Sequence, residues 1–181
     1  MSATSDPMIP VISALRSRLT GALPRVMRAV LRPFDDDTIW WHPEVPVNSA
    51  NPVNPVAVLA LHCAGNLRHY VGHYVGGLGY ERDRPAEFDA TRRLTKTEVL
   101  AEFDRAIADV DATLDGLTTS DYLLPSRDPE KSHGSIYEDM LHATVHLAFH
   151  VGQAVQLARL RGYELPPNVW AGAHRASGAA T

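Results

Sequence analysis

The sequence predicts an all-α protein built as a four-helix bundle, and three observations carry that prediction. Apolar residues recur at gaps of three and four in four separate segments, which is the spacing of one helix face. Two helix-opening capping boxes, Thr95-x-x-Glu98 and Ser135-x-x-Glu138, precede the third and fourth of these segments. No segment of useful length alternates apolar and polar residues with the period of a strand.

The chain is predicted to form a single domain over residues 1–181. Its 181 residues are 45% hydrophobic, which is enough for one domain to bury a core of its own. The end of the chain, from about residue 171, is small and polar, and we expect it to be frayed.

The first helix is expected over about residues 9–33. Gly21 and Pro24 interrupt it, so a kink or short break is expected there. The proline-rich stretch 34–55 that follows is interpreted as a long ordered loop. The apolar stripe of the helix consists of Ile12, Leu15, Leu19, Ala22, Val26 and Val30.

The second helix is expected to begin near Pro52 or Val56 and to end at Tyr74, because three glycines follow closely. A polar connection over 80–94 leads to the third helix, which Thr95 opens. The stripe of that helix is Phe103, Ile107, Val110, Leu114 and Leu117.

The fourth helix is expected to run from Ser135 to about Arg161. Gly162 then stands where a C-terminal cap is favoured, with two prolines beyond it. Four helices of this kind predict a bundle.

Charge and composition exclude several classes of function. The net charge is −4 with histidines neutral and the basic residues do not cluster, so nucleic-acid binding is not expected. No run reaches the roughly 18 apolar residues of a membrane helix, so no membrane association is expected. The N-terminus lacks a secretory pattern, which predicts a cytoplasmic protein. The single cysteine, Cys63, excludes an internal disulfide framework and a cysteine-rich zinc ribbon.

Six of the nine histidines fall on the second and fourth helices. His146 and His150 are four residues apart, and both are expected to point into the bundle. Two imidazoles at this spacing can hold one metal ion, and a third from a facing helix completes the set. His62 is the candidate third ligand because antiparallel helices would bring it to the same level. Three protein ligands leave positions open, as in catalytic metal sites.

Other polar residues are expected near this triad, without a fixed role. Asn66 follows His62 by one turn and is expected either to hold a water or substrate oxygen or to bond between helices. Gln153 is expected to support the site or to pack. Three roles remain open for His69, His73 and His142: they could form a second polar cluster, line a pocket or hold a second metal ion. The remaining histidines, in loops or the tail, are expected to be exposed: His42, His133 and His174.

The sequence around these histidines resembles the DinB-like (YfiT-type) superfamily of small metal-binding four-helix bundles. The resemblance is carried by LALHCAGNLRHYVGHY at Leu59–Tyr74 and LHATVHLAFHVGQAVQLAR at Leu141–Arg159, above all by His150-x-Gly-Gln153. It implies an up-down-down-up order with a long crossover between the second and third helices. It also implies a metal triad of His62, His146 and His150 and frequent homodimers.

The cofactor is expected to be one divalent metal ion. Zinc or nickel is favoured by the resemblance, and iron or copper also suits three imidazoles. Characterised members of the superfamily are thiol-dependent transferases or isomerases that use bacillithiol, mycothiol or glutathione, so a low-molecular-weight thiol cosubstrate is implied.

The function expected from the sequence is that of a metal-dependent enzyme acting on a small-molecule substrate. A metal-bound water or thiol would be the nucleophile, which suits a hydrolase or a thiol-dependent S-transferase. Two alternatives remain: a non-catalytic metal-binding module, and an interaction module whose helix faces form a dimer.

Overall fold

A computed structural model describes residues 6–44, 53–167 and 169. Four long helical segments dominate it, and no β-strand occurs within those ranges; Pro125 and Ser135 form an isolated bridge. The segments are named here α1 (8–31), α2 (56–75), α3 (Lys96–Asp115) and α4 (Ile136–Leu160). The all-α prediction is therefore confirmed. The tail from residue 171, with His174, lies outside the described residues, as does 45–52 of the proline-rich stretch.

Helix α1 changes its winding where an interruption was expected. The α-helix Met8–Arg16 passes into the π-helical stretch Ser17–Ala22 and then into the α-helix Leu23–Leu31. Pro24, which has no backbone N–H to donate, is the second residue of the last stretch and directly follows the wider π winding. The chain thus accommodates the interruption by a local widening of the helix rather than by a break.

Helix α2 also has two parts. The α-helix Val56–Leu67 continues as the π-helical stretch Arg68–Val75. The wider winding is visible in the last turn, where the N–H of Gly76 donates to the carbonyl of Val71, five residues back, at 2.9 Å. The first part carries His62 and Asn66, and the second part carries His69 and His73.

Both capping boxes form as the sequence predicts. The backbone N–H of Thr95 donates to the Glu98 carboxylate at 2.8 Å, and Glu98 N–H donates to the Thr95 hydroxyl at 3.3 Å. The equivalent bonds join Ser135 and Glu138 at 3.0 and 3.3 Å. After α4 the chain turns at Gly162, whose φ of +87° is readily adopted by glycine.

The directions of the helices follow from which residues meet. His62 contacts His146, and Asn66, further along α2, contacts His142, which is earlier in α4. Helices α2 and α4 are therefore antiparallel. Ion pairs of Arg16 with Asp111 and of Arg28 with Asp104 likewise make α1 and α3 antiparallel.

Helices α2 and α3 run in the same direction, because Arg68 pairs with Asp109 while Gly76, further along, lies against Thr113. Two parallel neighbours need a long connection, and residues 76–95 supply it through the one-turn helix Arg84–Glu87 and the 3₁₀ turn Ala90–Arg92. These directions agree with the up-down-down-up order.

The core lies between the four helices. Its largest fully buried side chains include Phe34 from the loop after α1, Phe103 from α3, and Met140 and Leu147 from α4. The loop after α1 is tied to this core through Trp40, which is buried and donates its indole N–H to the carbonyl of Leu94 at 2.9 Å. The bundle therefore holds α2 and α4 rigidly side by side.

One face of α4 remains apolar and exposed. Leu141, Val145 and Phe149 are 41%, 61% and 61% exposed and lie one turn apart on a helix of 25 residues. Among the described helices, none has both the length and the apolar character needed to cross a membrane.

Candidate metal centre

Helices α2 and α4 bring His62, His146 and His150 together. One nitrogen from each ring lies within 4.8 Å of the other two. The Nε2 atoms of His62 and His146 are 3.0 Å apart. The ring centroid of His150 lies 4.9 Å from that of His62 and 4.4 Å from that of His146. The three residues that the sequence singled out thus converge on one point.

The environment of His146 and His150 favours neutral imidazoles. His62 is buried, with 7% of its surface exposed, and the other two are half-buried. Burial, aided by the neighbouring imidazoles, lowers the pKa of His146 to about 3. Burial also lowers the pKa of His150, against the opposing effect of Gln153. Neutral rings keep a lone pair on nitrogen at neutral pH, and that is the form in which histidine binds a metal.

Two polar partners fix which nitrogen carries that lone pair. Glu87 accepts a hydrogen bond from His62 Nδ1–H at 2.8 Å, and Gln153 Oε1 accepts one from His150 Nδ1–H at 2.7 Å. Protons held on Nδ1 leave the lone pairs on Nε2. This arrangement of an outer acceptor and an inner ligand atom is usual around metal-binding histidines.

Glu87 is the site residue that sequence reasoning missed. It stands in the crossover, in the one-turn helix Arg84–Glu87, and is 7% exposed. Arg82 binds both carboxylate oxygens, at 2.7 and 2.9 Å. Burial raises the pKa of Glu87, but the bonds from His62 and Arg82 outweigh it and hold that pKa below its usual range. Glu87 is therefore a carboxylate that orients His62.

A glycine makes room for this carboxylate. A Cβ placed on Gly65 would overlap the Glu87 side chain, with its Cδ at 2.6 Å. Gly65 lies three residues after His62, on the same side of α2. Gly65 is the only residue in the local sequence that indicates a close contact at this position. Residue spacing alone does not reveal that the contacting residue is Glu87.

The residues present fit a divalent ion. Two nitrogen ligands of a tetrahedral zinc ion lie about 3.3 Å apart, given Zn–N bonds of roughly 2.0–2.1 Å. The 3.0 Å between the Nε2 atoms of His62 and His146 is close to that spacing. An imidazole donor set suits zinc, nickel, iron and copper. The donor set and its outer partners are therefore compatible with a divalent metal ion.

Asn66 and His142 adjoin the triad one turn along. Asn66 Nδ2 lies 3.4 Å from His142 Nε2, while its Oδ1 is buried without a partner. The ring of His142 is 5.7 Å from that of His146, and burial lowers the pKa of His142. Both residues extend the polar lining beyond the three candidate ligands.

His69 and His73 do not reach the triad. Their rings stack on each other at 6.2 Å, and His69 packs against Tyr74 at 4.7 Å. His73 Nδ1–H donates to the carbonyl of Leu78 at 2.8 Å. In the part of the chain that the structure describes, no second group of three potential ligands is found. The second metal site therefore has no support in the structure.

Cys63 follows the first ligand but faces the core. It is fully buried, and burial raises the pKa of its thiol far above the usual range. The side chain is therefore a neutral thiol at physiological pH, neither a nucleophile nor a ligand.

The fold and the three converging imidazoles together place the protein in a class: four-helix bundles whose core holds a cluster of histidines suited to a metal ion. Within that class, the chain belongs to the DinB superfamily, whose sequence profile matches residues 20–154. The match spans the second half of α1, all of α2 and α3 and most of α4, and it includes all three histidines. A comparison with curated proteins finds no match.

Proposed function

We propose that the protein is a metal-dependent enzyme, in which His62, His146 and His150 hold one divalent ion. The observation that supports this proposal is the openness of the cluster. His146 lines a surface cavity of about 610 Å³ together with His142 and the apolar side chains of Val145 and Phe149. Structural metal sites are closed by protein ligands, whereas catalytic ones keep a position for water or substrate.

The side chains around the ion would each have a defined task. A divalent ion bound there would lower the pKa of a water or thiol ligand and so supply a nucleophile near neutral pH. Glu87 and Gln153 orient the rings of His62 and His150. Asn66 has a free buried oxygen that can accept a hydrogen bond from a polar group of the substrate.

The cavity wall favours a small substrate with an apolar part. Leu141, Val145 and Phe149 line it, and the ring of Phe149 lies 5.2 Å from that of His150. Two reaction types suit this arrangement: transfer of a low-molecular-weight thiol to an apolar electrophile, and hydrolysis of an ester or amide. They differ only in whether a thiol or a water attacks.

We place this enzyme in the cytoplasm and propose that it works as a homodimer. Exposed apolar side chains remain available for self-association at the ends of the bundle, namely Ile9, Leu123, Leu124 and Leu160. Light scattering of metal-loaded and metal-free protein tests the dimer. A monomer in both states would contradict it.

Metal content is the first test of the enzyme proposal. Protein purified without a metal-affinity tag is analysed for zinc, nickel, iron and copper in the wild type, His146→Ala and His73→Ala. We expect about one ion per chain in the wild type and in His73→Ala, and almost none in His146→Ala. No bound metal in the wild type, and no uptake on adding zinc or nickel, would overturn the proposal.

Turnover is the second test. Two probes are used: hydrolysis of p-nitrophenyl acetate, and conjugation of L-cysteine or glutathione to monochlorobimane. Metal-loaded wild type is expected to accelerate one of them, and metal-free protein and His146→Ala are not. Turnover that persists in the metal-free protein would exclude a role for the ion.

A non-catalytic metal module is the second candidate, favoured by a specific feature. The triad joins two helices whose ligands are 84 residues apart, His62 and His146, so a bound ion would also crosslink the bundle. This candidate predicts a large fall in melting temperature on chelation and no turnover of either probe.

A further inference from the structure

His133 lines the same cavity as His146 and is hydrogen-bonded to a buried carboxylate. His133, which precedes α4, bonds to Asp139 twice: its backbone N–H at 2.9 Å and its ring Nδ1 at 2.8 Å, both to Oδ1. The other carboxylate oxygen, Oδ2, accepts a short hydrogen bond from the Ser126 hydroxyl. Asp139 is completely buried, and Ser126 is 4% exposed. The sequence alone had placed His133 in solvent.

These bonds fix the protonation of the ring. A carboxylate oxygen only accepts, so Nδ1 of His133 must carry the proton and donate it. The lone pair is then on Nε2, on the far side of the ring from Asp139. The side chain of His133 is 34% exposed, so part of the ring is accessible while Asp139 is not. An imidazole held in one tautomer by a buried carboxylate is the arrangement of many general bases.

The position of the ring is beside the proposed reaction site. His133 lines the same cavity as His146. Its ring stacks on His142 at 3.9 Å and packs against Tyr70 at 4.6 Å. His142 in turn lies beside His146. The ring of His133 is therefore separated from the triad by one side chain, that of His142, and lies where a substrate would enter the cavity.

We propose that His133 is a proton acceptor for a substrate S–H or O–H group in this cavity, and that Asp139 is the residue that positions it. The proton leaves the substrate and binds Nε2, while its electron pair stays on sulfur or oxygen. The resulting imidazolium is stabilised by the Asp139 carboxylate, and it returns the proton to solvent through its exposed edge. This role rests on the proposed enzymatic function, but the tautomer and its dependence on Asp139 do not.

The tautomer is tested first, by ¹⁵N NMR of the histidine side chains at pH 8. Wild-type His133 is expected as the Nδ1–H tautomer, assigned by comparison with His133→Gln. Asp139→Ala, which removes the acceptor altogether, is expected to shift it toward the Nε2–H form that free histidine prefers. An Nε2–H tautomer in the wild type would overturn the proposal. Because Asp139 is buried, Ser126→Ala is measured too: it leaves the His133–Asp139 bond in place and should keep the tautomer.

Chemical reactivity is tested second, with diethyl pyrocarbonate and peptide mass spectrometry. A partly exposed ring whose lone pair is held on Nε2 by a buried carboxylate predicts that His133 is carbethoxylated faster than His73, whose ring donates only to a neutral carbonyl. The rate at His133 should fall several-fold in Asp139→Ala. Equal rates at His133 in wild type and variant would overturn the positioning role of Asp139.

Turnover separates this proposal from the enzymatic one. With whichever probe the metal-loaded wild type accelerates, His133→Gly should lose at least tenfold in rate with unchanged metal content, and added imidazole should restore part of it. His146→Ala should lose its metal and show no rescue. A His133→Gly variant with wild-type turnover would overturn the base role. If no probe is turned over at all, the enzymatic proposal and this base role both fail, while the tautomer and carbethoxylation results still decide whether Asp139 positions the ring.

Discussion

Replacing Glu87 by glutamine tests how far the crossover controls the metal centre. The amide oxygen of glutamine can still accept the bond from His62 Nδ1–H, so the ring keeps an acceptor. The negative charge that stabilises electron donation from Nε2 is lost. In addition, Arg82, whose side chain is only 10% exposed, loses its carboxylate partner. Both changes weaken the site without removing a ligand.

The expected magnitude follows from the geometry around His62. The Glu87 carboxylate is 2.8 Å from the ring and buried, so water does not screen it. Loss of such an outer partner typically weakens metal binding by 10–100-fold, or about 1.4–2.7 kcal/mol. The loss should not approach the near-complete loss expected when a ligand itself is removed.

The assay is competition for zinc against a chromophoric chelator at pH 7.5. Wild type, Glu87→Gln and Glu130→Gln are compared, because Glu130 is an exposed residue whose replacement removes the same charge far from the site. Circular dichroism checks that all three fold. Wild-type affinity in a folded Glu87→Gln variant would refute the inference that this carboxylate tunes His62. An equal loss in Glu130→Gln would show that net charge alone is responsible.

Three further outcomes are expected. Gly65→Ala should weaken zinc binding about as much as Glu87→Gln, because the new Cβ would displace the Glu87 carboxylate; unchanged affinity in the same competition would contradict this. Phe103→Ala should lower the free energy of unfolding in urea by about 3–5 kcal/mol, since the ring is fully buried, and a loss below about 1 kcal/mol would be inconsistent with that burial. In metal-free protein the pKa of His146 falls to about 3 on folding, so the unfolded chain binds more protons below about pH 6.5. The melting temperature of the metal-free protein should therefore drop as the pH falls from 7 to 5, and a constant value would argue against a buried neutral ring.

The parts of this structure that sequence predicts are those set by local rules. The capping boxes at Thr95 and Ser135 depend on residues three apart, and they form as expected. The convergence of His62 with His146 and His150 needs only helical spacing and the antiparallel packing of two helices.

The parts that sequence does not predict depend on contacts between distant segments. Glu87 lies in a connection without periodicity, and only the fold brings it to His62. His133 looks like an exposed loop residue until the buried Asp139 is known to lie beneath it. His69 and His73 lie in the part of α2 that departs from the α-helical period, so their orientation does not follow from spacing along the chain.

The π-helical stretch of α2 has a consequence for how this chain tolerates insertions and deletions. A π turn can be regarded as an α-helix that has absorbed one extra residue, so loss of a single residue within Arg68–Val75 would leave a continuous helix. Because the wider winding compensates for the extra residue, the chain beyond the stretch would keep its orientation, as would His62 and Asn66 upstream, and only side chains within the stretch would change position. The histidine now turned toward Tyr74 would move to a different face. Proteins of this fold that differ by one residue here would therefore share His62, His146 and His150 and differ in the side chains next to them.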